Sequence, residues 1–236
     1  MYETSDLTIV YYTANEIPPS FGTAVRNQLF DSVKNRHMPV VCVSKKPVDD
    51  IFGFNNIISP HDRSHISIYR DALLGAKAAK TKYIALCEDD VLYSPEHFKY
   101  RPSEGKFAYN LGHWNIHTWG DVMFTHKGTN RSNLHGLICE RALFIAAMEE
   151  RFEKFPDAGE ELNKVWAEPG KYEGHLGVTQ RSTEVFYTNP PNIVFIHQTA
   201  LAFGNLGTRK KVGEFRATEI PYWGKAKDIR RLYEEV

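Results

Sequence analysis

The chain has 236 residues, of which 42% are hydrophobic, 13% aromatic and 25% charged, and its 29 basic side chains balance 29 acidic ones. This composition is typical of a globular protein and excludes a disordered chain, a collagen-like repeat and a small disulfide scaffold. A chain of this length buries roughly 70% of its unfolded surface, so its core needs no metal or disulfide. A net charge of zero gives no support for general nucleic-acid or membrane binding, although local charge segregation could still provide it.

The three cysteines, Cys42, Cys87 and Cys139, are far apart and form neither a CxxC pair nor a zinc-type spacing. We therefore expect reduced thiols and a cytoplasmic protein. The amino terminus lacks a basic stretch followed by an apolar segment, and the longest uncharged apolar run, residues 142–148, is far below the ~20 residues of a membrane helix. The sequence thus predicts a soluble protein with no membrane span.

The first half of the chain alternates predicted strands with predicted helices. Residues 7–13 are β-branched and aromatic, as in a buried strand, and residues 21–35 carry apolar side chains at four-residue spacing, as in a helix. The pattern continues with strands at 39–44, 56–59 and 83–87 and a helix at 65–80. Such βαβ units predict an α/β fold whose mostly parallel central sheet is flanked by helices, with ligands at the carboxyl ends of the strands.

The second half is less regular. Residues 107–135 are rich in Trp, His, Asn and Gly, which favours short strands and loops, and we expect a loop around His113 and His117 rather than a helical zinc site. A helix is predicted at 141–152, a strand at 192–197 and a short terminal helix at 227–235. No repeat or Pro/Gly/Ser linker divides the chain, so a single domain is expected.

Three acidic residues, Glu88, Asp89 and Asp90, follow the strand at 83–87. Side chains alternate along a strand, so Glu88 and Asp90 should share a face. Paired carboxylates suit Mg²⁺ or Mn²⁺, particularly where phosphate oxygens complete the coordination. The alternative is a solvated acidic turn without a ligand.

Residues 68–93 (IYRDALLGAKAAKTKYIALCEDDVLY) resemble the nucleotide-sugar half of GT-A glycosyltransferases. In that family a helix of the form R-x-A-L-x-x-A-K leads to a short strand and to the D-x-D motif, which holds a divalent ion on the donor diphosphate. The resemblance is strongest over residues 7–95. It departs from the pattern at Glu88, which leaves Asp90 as the better metal ligand. Nucleotidyltransferases of the pyrophosphorylase type share this architecture, but residues 14–21 lack their Gly-rich basic loop.

The resemblance implies transfer of a sugar from a nucleotide sugar, most of all a UDP-sugar, to an acceptor hydroxyl. It divides the single domain into a nucleotide-sugar half (1–95), an acceptor half (96–203) and a basic arm (204–236). It also implies His197 as a further metal ligand at the end of the strand at 192–197. The implied donor contacts are Thr13, Asn15, Glu16, Ser44 and Asp89, with Arg70 near the phosphates.

In inverting members of the family an acidic base begins a helix on the acceptor side, and residues 136–143 resemble the segment before it. Glu173 is the preferred candidate for this base, and Asp121 is the reserve candidate. A carboxylate base implies inversion of the anomeric carbon, whereas a retaining enzyme would not need it. Sequence motifs of a P-loop, a G-x-S-x-G elbow or a G-x-G-x-x-G loop do not occur.

Residues 209–231 contain eight Lys or Arg and three acidic residues, interleaved with aromatics. The segment could be a solvated arm packed on the domain, or Arg209, Lys210 and Lys211 could contact the donor diphosphate. It could also bind a polyanionic acceptor, since the mixture suits nucleic acid and resembles phage enzymes that glycosylate hydroxymethylated pyrimidines in DNA. Glycan, lipid-linked and protein acceptors stay open, as do a nucleotidyltransferase and a non-enzymatic nucleic-acid-binding module.

Overall fold

The computed structural model describes residues 5–34, 37–48, 56–126, 132–157, 162, 166–200 and 213–234. Arg209, Lys210 and Lys211, for which contact with the donor diphosphate is one of the expectations from the sequence, lie outside these residues. Among the described helices, none is long and apolar enough to cross a bilayer.

The strands of the described chain fall into two main sheets and a small ribbon. Their bounds are β1 (Leu7–Thr13), β2 (Val40–Ser44), β3 (Asn56–Ile58), β4 (Tyr83–Glu88), β5 (Val91–Leu92), β6 (Lys106–Asn110), β7 (His113–His117), β8 (Met123–Thr125), β9 (Leu137–Glu140), β10 (Ser182–Phe186), β11 (Asn192–Ile196), β12 (Phe215–Ala217), β13 (Glu219–Ile220) and β14 (Gly224–Lys225). The helices are α1 (Pro19–Val33), α2 (His65–Ala78), α3 (Arg141–Lys154), α4 (Glu173–Leu176) and α5 (Ala226–Glu234).

The first sheet has seven strands in the order β10-β6-β9-β4-β1-β2-β3. Strand β9 is antiparallel to both of its neighbours, β4 and β6, and the other pairs are parallel. The α/β class with a largely parallel sheet flanked by helices is thereby confirmed. Strand β1 is buried along its whole length, as its apolar run predicts for a strand covered on both faces.

The start of helix α2 is fixed by hydrogen bonds within its first turn and by close packing on β1. Its first turn is closed by a reciprocal capping box, in which the Ser67 amide donates to the Ser64 hydroxyl (3.0 Å) and the Ser64 amide donates to the Ser67 hydroxyl (2.9 Å). Its buried face packs on β1, where a Cβ added at Gly75 would lie 2.3 Å from Val10 Cγ1. The helix therefore starts at a fixed point beside the carboxyl end of β1.

The second sheet has five strands in the order β12-β8-β7-β11-β5. Strand β5 directly follows the three acidic residues Glu88, Asp89 and Asp90, here called the acidic turn, and pairs antiparallel with β11. The Phe195 amide of β11 donates to the Asp90 carbonyl (2.8 Å). The end of β11 is thus fastened to the acidic turn. The expectation of a loop around His113 and His117 was wrong, because these residues form β7, which is paired on both sides by β8 and β11.

The described part of the basic arm is packed on the domain. Ile220, Ala226 and Ile229 are buried in the core that the second sheet forms with α1, and the Trp223 indole donates to the Pro191 carbonyl (2.6 Å). In contrast, Phe215 and Tyr222 are 50% and 61% exposed. Residues 213–234 are therefore an integral part of the fold rather than a detached arm.

Candidate functional site

A pocket opens at the carboxyl ends of β1 and β4, between the start of α2 and the end of β11. This is the edge at which parallel α/β sheets bind ligands. Most of the residues that line it are polar, and they carry charges of both signs. The polar lining residues are Tyr12, Thr13, Glu16, Lys45, Arg63, Ser64, His65, Ser67, Asp71, Glu88, Asp89, Asp90, His197 and Thr199.

The acidic turn is held by hydroxyl groups of β1, its neighbouring strand. Tyr12 donates to Glu88 Oε1 (2.5 Å), and the Thr13 hydroxyl donates to Asp89. Asp90 Oδ2 lies 3.5 Å from His197 Nε2. The register of β1 with β4 and of β5 with β11 therefore brings the three carboxylates and His197 to the same pocket.

Burial and mutual repulsion make the acidic turn costly to ionise. Burial, followed by the charge of Asp90, raises the pKa of Glu88 to about 8. The same two causes raise the pKa of Asp89 to about 6, against the hydrogen bond from Thr13. Such a cluster is stabilised by protons or by a cation.

The donor set of the acidic turn fits a hard divalent cation that shares its coordination with a ligand. Among the described residues, no group of three or more His, Cys, Asp or Glu side chains is arranged so that it could hold a metal ion by itself. Mg²⁺ and Mn²⁺ sites often use one or two carboxylates and take their other oxygens from water and substrate phosphates. Glu88 and Asp90 can supply these carboxylates, with His197 beside Asp90.

The pocket also contains basic side chains that form ion pairs with carboxylates of the protein. Lys45 Nζ lies 2.6 Å from Asp71 Oδ2, and both side chains are largely buried. Arg63 pairs with Glu16 (3.1 Å) and donates to the Thr199 carbonyl. These ammonium and guanidinium groups are within reach of an anionic ligand in the pocket.

Lys45, Arg63 and Asp71 are pocket residues that are not among the predicted donor contacts. Lys45 directly follows β2 and lies at a strand end where the sequence predicts ligands, although only its neighbour Ser44 is a predicted contact. Arg63 and Asp71 carry no comparable signal. Arg63 precedes a helix, and Asp71 is one polar residue on the buried face of α2, where only tertiary packing shows that it faces the pocket.

The predicted donor contacts divide into two groups. Thr13, Glu16 and Asp89 line the pocket. Asn15 shapes the turn after β1, since it has a positive φ of 53° and its side-chain amide donates to the Pro47 carbonyl (2.7 Å). Ser44 is buried and donates to the Lys46 carbonyl (2.6 Å).

Arg70 is placed away from the pocket lining. Its guanidinium donates to the Pro156 carbonyl (2.5 Å) and lies 4.5 Å from the centroid of the Phe152 ring. The side chain therefore bridges α2 to the end of α3. Its assignment to the phosphates stays a prediction that these contacts do not support.

The two candidate bases also lie outside the pocket lining. Glu173 is 2% exposed, pairs with the fully buried Arg151 (3.1 Å) and accepts a hydrogen bond from the Gly170 amide. The Asp121 side chain is 62% exposed and pairs with Arg230 (2.7 Å). Their roles as bases stay predictions, and both carboxylates are engaged by arginines.

Neither a protein-family model nor a curated protein matches the sequence. Solved structures give distant likenesses at TM-scores below 0.5. A glycosyltransferase involved in glycosylation of the major capsid of PBCV-1 has a TM-score of 0.42 and 9% identity, over 80% of this chain and 93% of that one. A Drosophila β-1,4-galactosyltransferase 7 mutant in complex with manganese, UDP-Gal and xylobiose has a TM-score of 0.41 and 11% identity, over 95% of this chain and 79% of that one.

An inositol-1-phosphate CTP transferase from T. maritima has a TM-score of 0.44 and 10% identity, over 78% of this chain and 86% of that one. Sugar transferases and a nucleotidyltransferase are thus matched at similar levels. Likenesses of this size describe a general α/β arrangement and carry no argument about activity. The chemistry of the chain has to be inferred from its own residues.

Proposed function

We propose that the protein is a metal-dependent glycosyltransferase that moves a sugar from a nucleotide sugar to an acceptor hydroxyl. The observation that carries this proposal is the acidic turn at the carboxyl end of β4, which shares one pocket with Lys45 and Arg63. A bound cation would stabilise the ionised forms of Glu88 and Asp89, whose pKa values are raised by burial and by the charge of Asp90. The neighbouring basic groups are suited to bind a diphosphate. A nucleoside diphosphate bridged by a divalent ion combines both requirements.

In this proposal each residue of the pocket has a distinct task. Glu88 and Asp90 would hold Mn²⁺ or Mg²⁺, assisted by His197, and the ion would neutralise charge on the departing diphosphate. Thr13, Glu16 and Asp89, which line the pocket at the ends of β1 and β4, would contact the donor. Lys45 and Arg63 would orient the anionic groups once these displace their present carboxylate partners.

The acceptor is open among a DNA base, a glycan, a lipid-linked group and a protein. The described basic residues of the arm are partly neutralised, since Arg230 pairs with Asp121 and Arg231 lies 3.6 Å from Asp228. This pairing reduces the positive charge available to a phosphate backbone. If the acceptor is a hydroxymethylated pyrimidine in DNA, activity should fall steeply as the salt concentration rises. Activity that does not depend on salt argues against a DNA acceptor.

Donor binding is tested by thermal unfolding with UDP-glucose, GDP-mannose and CMP-sialic acid, each with and without MnCl₂. A donor at 100 times its Kd stabilises the folded state by about 2.7 kcal/mol, so a rise in Tm of roughly 5–10 °C is expected with metal and little without it. Asp90→Asn should abolish the metal-dependent rise. Asp31→Asn, which removes an exposed carboxylate of α1, is the matched control and should retain it.

The proposal fails if no nucleotide sugar stabilises the protein in a metal-dependent manner, or if Asp90→Asn behaves like Asp31→Asn. Analysis of the product separates the two enzyme classes that share this pocket chemistry. A glycosyltransferase releases a glycosylated acceptor together with the nucleotide of its donor, which is a nucleoside diphosphate for UDP-glucose and GDP-mannose and CMP for CMP-sialic acid. A nucleotidyltransferase instead leaves a nucleoside monophosphate on its product and releases pyrophosphate.

A further inference from the structure

The first residue of α2, His65, lines the pocket together with the acidic turn. We propose that His65 is the catalytic proton acceptor of the site, an inference that rests on the proposed function. Glu173 and Asp121, the candidates from the sequence, lie outside the pocket lining and are paired with arginines. The support for His65 comes from its place in the pocket and from the hydrogen bond that fixes its ring.

A backbone carbonyl determines which nitrogen of the His65 ring carries the proton. Nε2 of His65 lies 2.9 Å from the carbonyl oxygen of Trp166. A carbonyl oxygen only accepts hydrogen bonds, so Nε2 is the donor and Nδ1 of the neutral ring holds a lone pair. Among the described residues, none forms a hydrogen bond with Nδ1. The neutral His65 therefore has a free lone pair with which to take a proton.

The orientation of the His65 ring is held on several sides. The capping box of Ser64 and Ser67 fixes the backbone on which the ring is mounted. The ring meets that of Tyr69 edge-on, with the centroids 5.9 Å apart and an interplanar angle of 75°. Tyr69 is itself 3% exposed and meets the Trp166 ring edge-on at 6.4 Å. A ring held in this way needs little reorganisation before it accepts a proton.

His65 also connects the parts of the chain that are proposed to bind the two substrates. Helix α2 belongs to the nucleotide-sugar half (1–95), whereas Trp166 belongs to the acceptor half (96–203). The hydrogen bond between Nε2 and the Trp166 carbonyl therefore crosses from one half to the other. His65 is half-buried, so its ring is partly shielded from solvent but is still reachable from the pocket. A proton acceptor is needed where an acceptor hydroxyl meets the sugar of the donor.

The other proton-accepting side chains of the pocket have different partners. Glu16 forms ion pairs with two basic side chains, and Asp71 lies 2.6 Å from Lys45. Both carboxylates thus adjoin the basic groups that are proposed to bind the phosphates of the donor. The acidic turn and His197 form the proposed cation site. Within the described lining of the pocket, His65 is therefore the proton acceptor that is engaged neither by a basic side chain nor by the cation site.

The proposed step balances without a further reactant. Nδ1 of His65 removes the proton of the acceptor hydroxyl while the acceptor oxygen forms its bond to the anomeric carbon. The bond between that carbon and the phosphate oxygen of the donor breaks, and its electron pair leaves with the nucleotide. The imidazolium keeps its hydrogen bond to the Trp166 carbonyl, which becomes stronger because the donor is now charged. The proton is then released to solvent.

Two nucleophiles separate proton removal from structural support. Water must lose a proton during donor hydrolysis, whereas the azide anion forms a glycosyl azide without losing one. With the nucleotide sugar and metal that give the largest thermal shift, His65→Gln should lower the rate of hydrolysis about 100-fold or more but leave the azide reaction within about 3-fold of wild type. The Gln amide can still donate to the Trp166 carbonyl, but it is not a base. His175→Gln, which replaces an exposed histidine outside the pocket lining, should leave both rates unchanged.

Each other outcome overturns the assignment. Equal losses with water and azide would show that His65 only supports the site or the binding of the donor, and unchanged hydrolysis would show that it takes no proton. A wild-type protein that binds the donor but transfers sugar to neither nucleophile also contradicts it. Failure of the proposed function looks different, since no nucleotide sugar would then shift the Tm of wild type or His65→Gln.

Discussion

Arg151 and Glu173 show how a single residue can have a role that its sequence position does not reveal. The resemblance to GT-A glycosyltransferases implies Glu173, at the start of a helix, as a catalytic base. In the structure Glu173 is 2% exposed and pairs with Arg151, which is 0% exposed. Replacing Arg151 by Met leaves the Glu173 carboxylate buried without its cation. We expect this change to lower the free energy of unfolding by about 3–5 kcal/mol, measured by urea denaturation.

A second variant distinguishes the loss of the pair from the loss of packing. Because two apolar side chains often replace a buried ion pair at little cost, Arg151→Met combined with Glu173→Met should recover most of the stability. Lys77→Met removes the cation of an exposed pair with Glu149 and should cost about 1 kcal/mol or less. Equal losses of stability for Arg151→Met and Lys77→Met would show that the buried pair of Arg151 and Glu173 matters no more to the fold than an exposed pair does.

The residues of the site differ in how far the sequence could predict them. Thr13, Glu16 and Asp89 follow strands, and position along a strand is readable from hydrophobic runs and turn residues. The resemblance to GT-A glycosyltransferases also implies Arg70 and Ser44 as donor contacts, but both lie outside the pocket lining. The direction of a side chain on a helix or at a strand end depends on packing partners far away in sequence, which a pattern does not contain.

At the scale of elements, close packing of α2 on β1 sets the position of the pocket. Ala is favoured over Gly within a helix by about 1 kcal/mol. The Cβ of Gly75→Ala, however, would lie 2.3 Å from Val10 Cγ1 and 3.3 Å from Val43 Cγ2, which forces the helix away from the sheet. Overpacking of this kind costs about 1–3 kcal/mol, so we expect a net loss of stability and a weakened thermal shift by the donor.

Gly120→Ala is the matched control for this prediction. Among the described residues, the atom nearest to a Cβ at Gly120 would be His117 Cβ at 3.6 Å, so stability should change by less than about 0.5 kcal/mol. Urea denaturation of both variants gives the measurement. A Gly75→Ala protein at least as stable as wild type would show that α2 shifts at no cost and that its contact with β1 does not fix the pocket.

The elements of the first half were predicted almost residue by residue, whereas the second sheet was not. Helix α2 ends at Ala78 rather than at residue 80, and α1 begins two residues early because Pro19 is suited to a first helical turn. Strands β5, β8 and β12 are only two or three residues long. The pairing of β5 with β11 and of β12 with β8 joins residues that are 90 or more positions apart, which local periodicity cannot specify.

At the scale of the whole molecule, the charges of the site and of the interior impose opposite dependences on pH. Burial lowers the pKa of His97 to about 3 and that of His113 to about 4. Below pH 6.5 these two histidines bind protons in the unfolded chain but stay neutral in the folded protein. They therefore lower the free energy of unfolding as the pH falls. The raised pKa values of Glu88 and Asp89 act in the other direction, because the folded acids keep protons that the unfolded chain releases.

Between about pH 4.5 and 6.5 the two effects oppose one another, and above pH 6.5 only Glu88 continues to act. One proton retained by the folded state lowers stability by about 1.4 kcal/mol per pH unit. With EDTA present, the free energy of unfolding should therefore fall by about 1–2 kcal/mol from pH 6.5 to 8, measured by urea denaturation. Glu88→Gln should remove this decline, whereas His97→Asn should affect only the acidic side. A decline that persists in Glu88→Gln would place its origin outside the acidic turn.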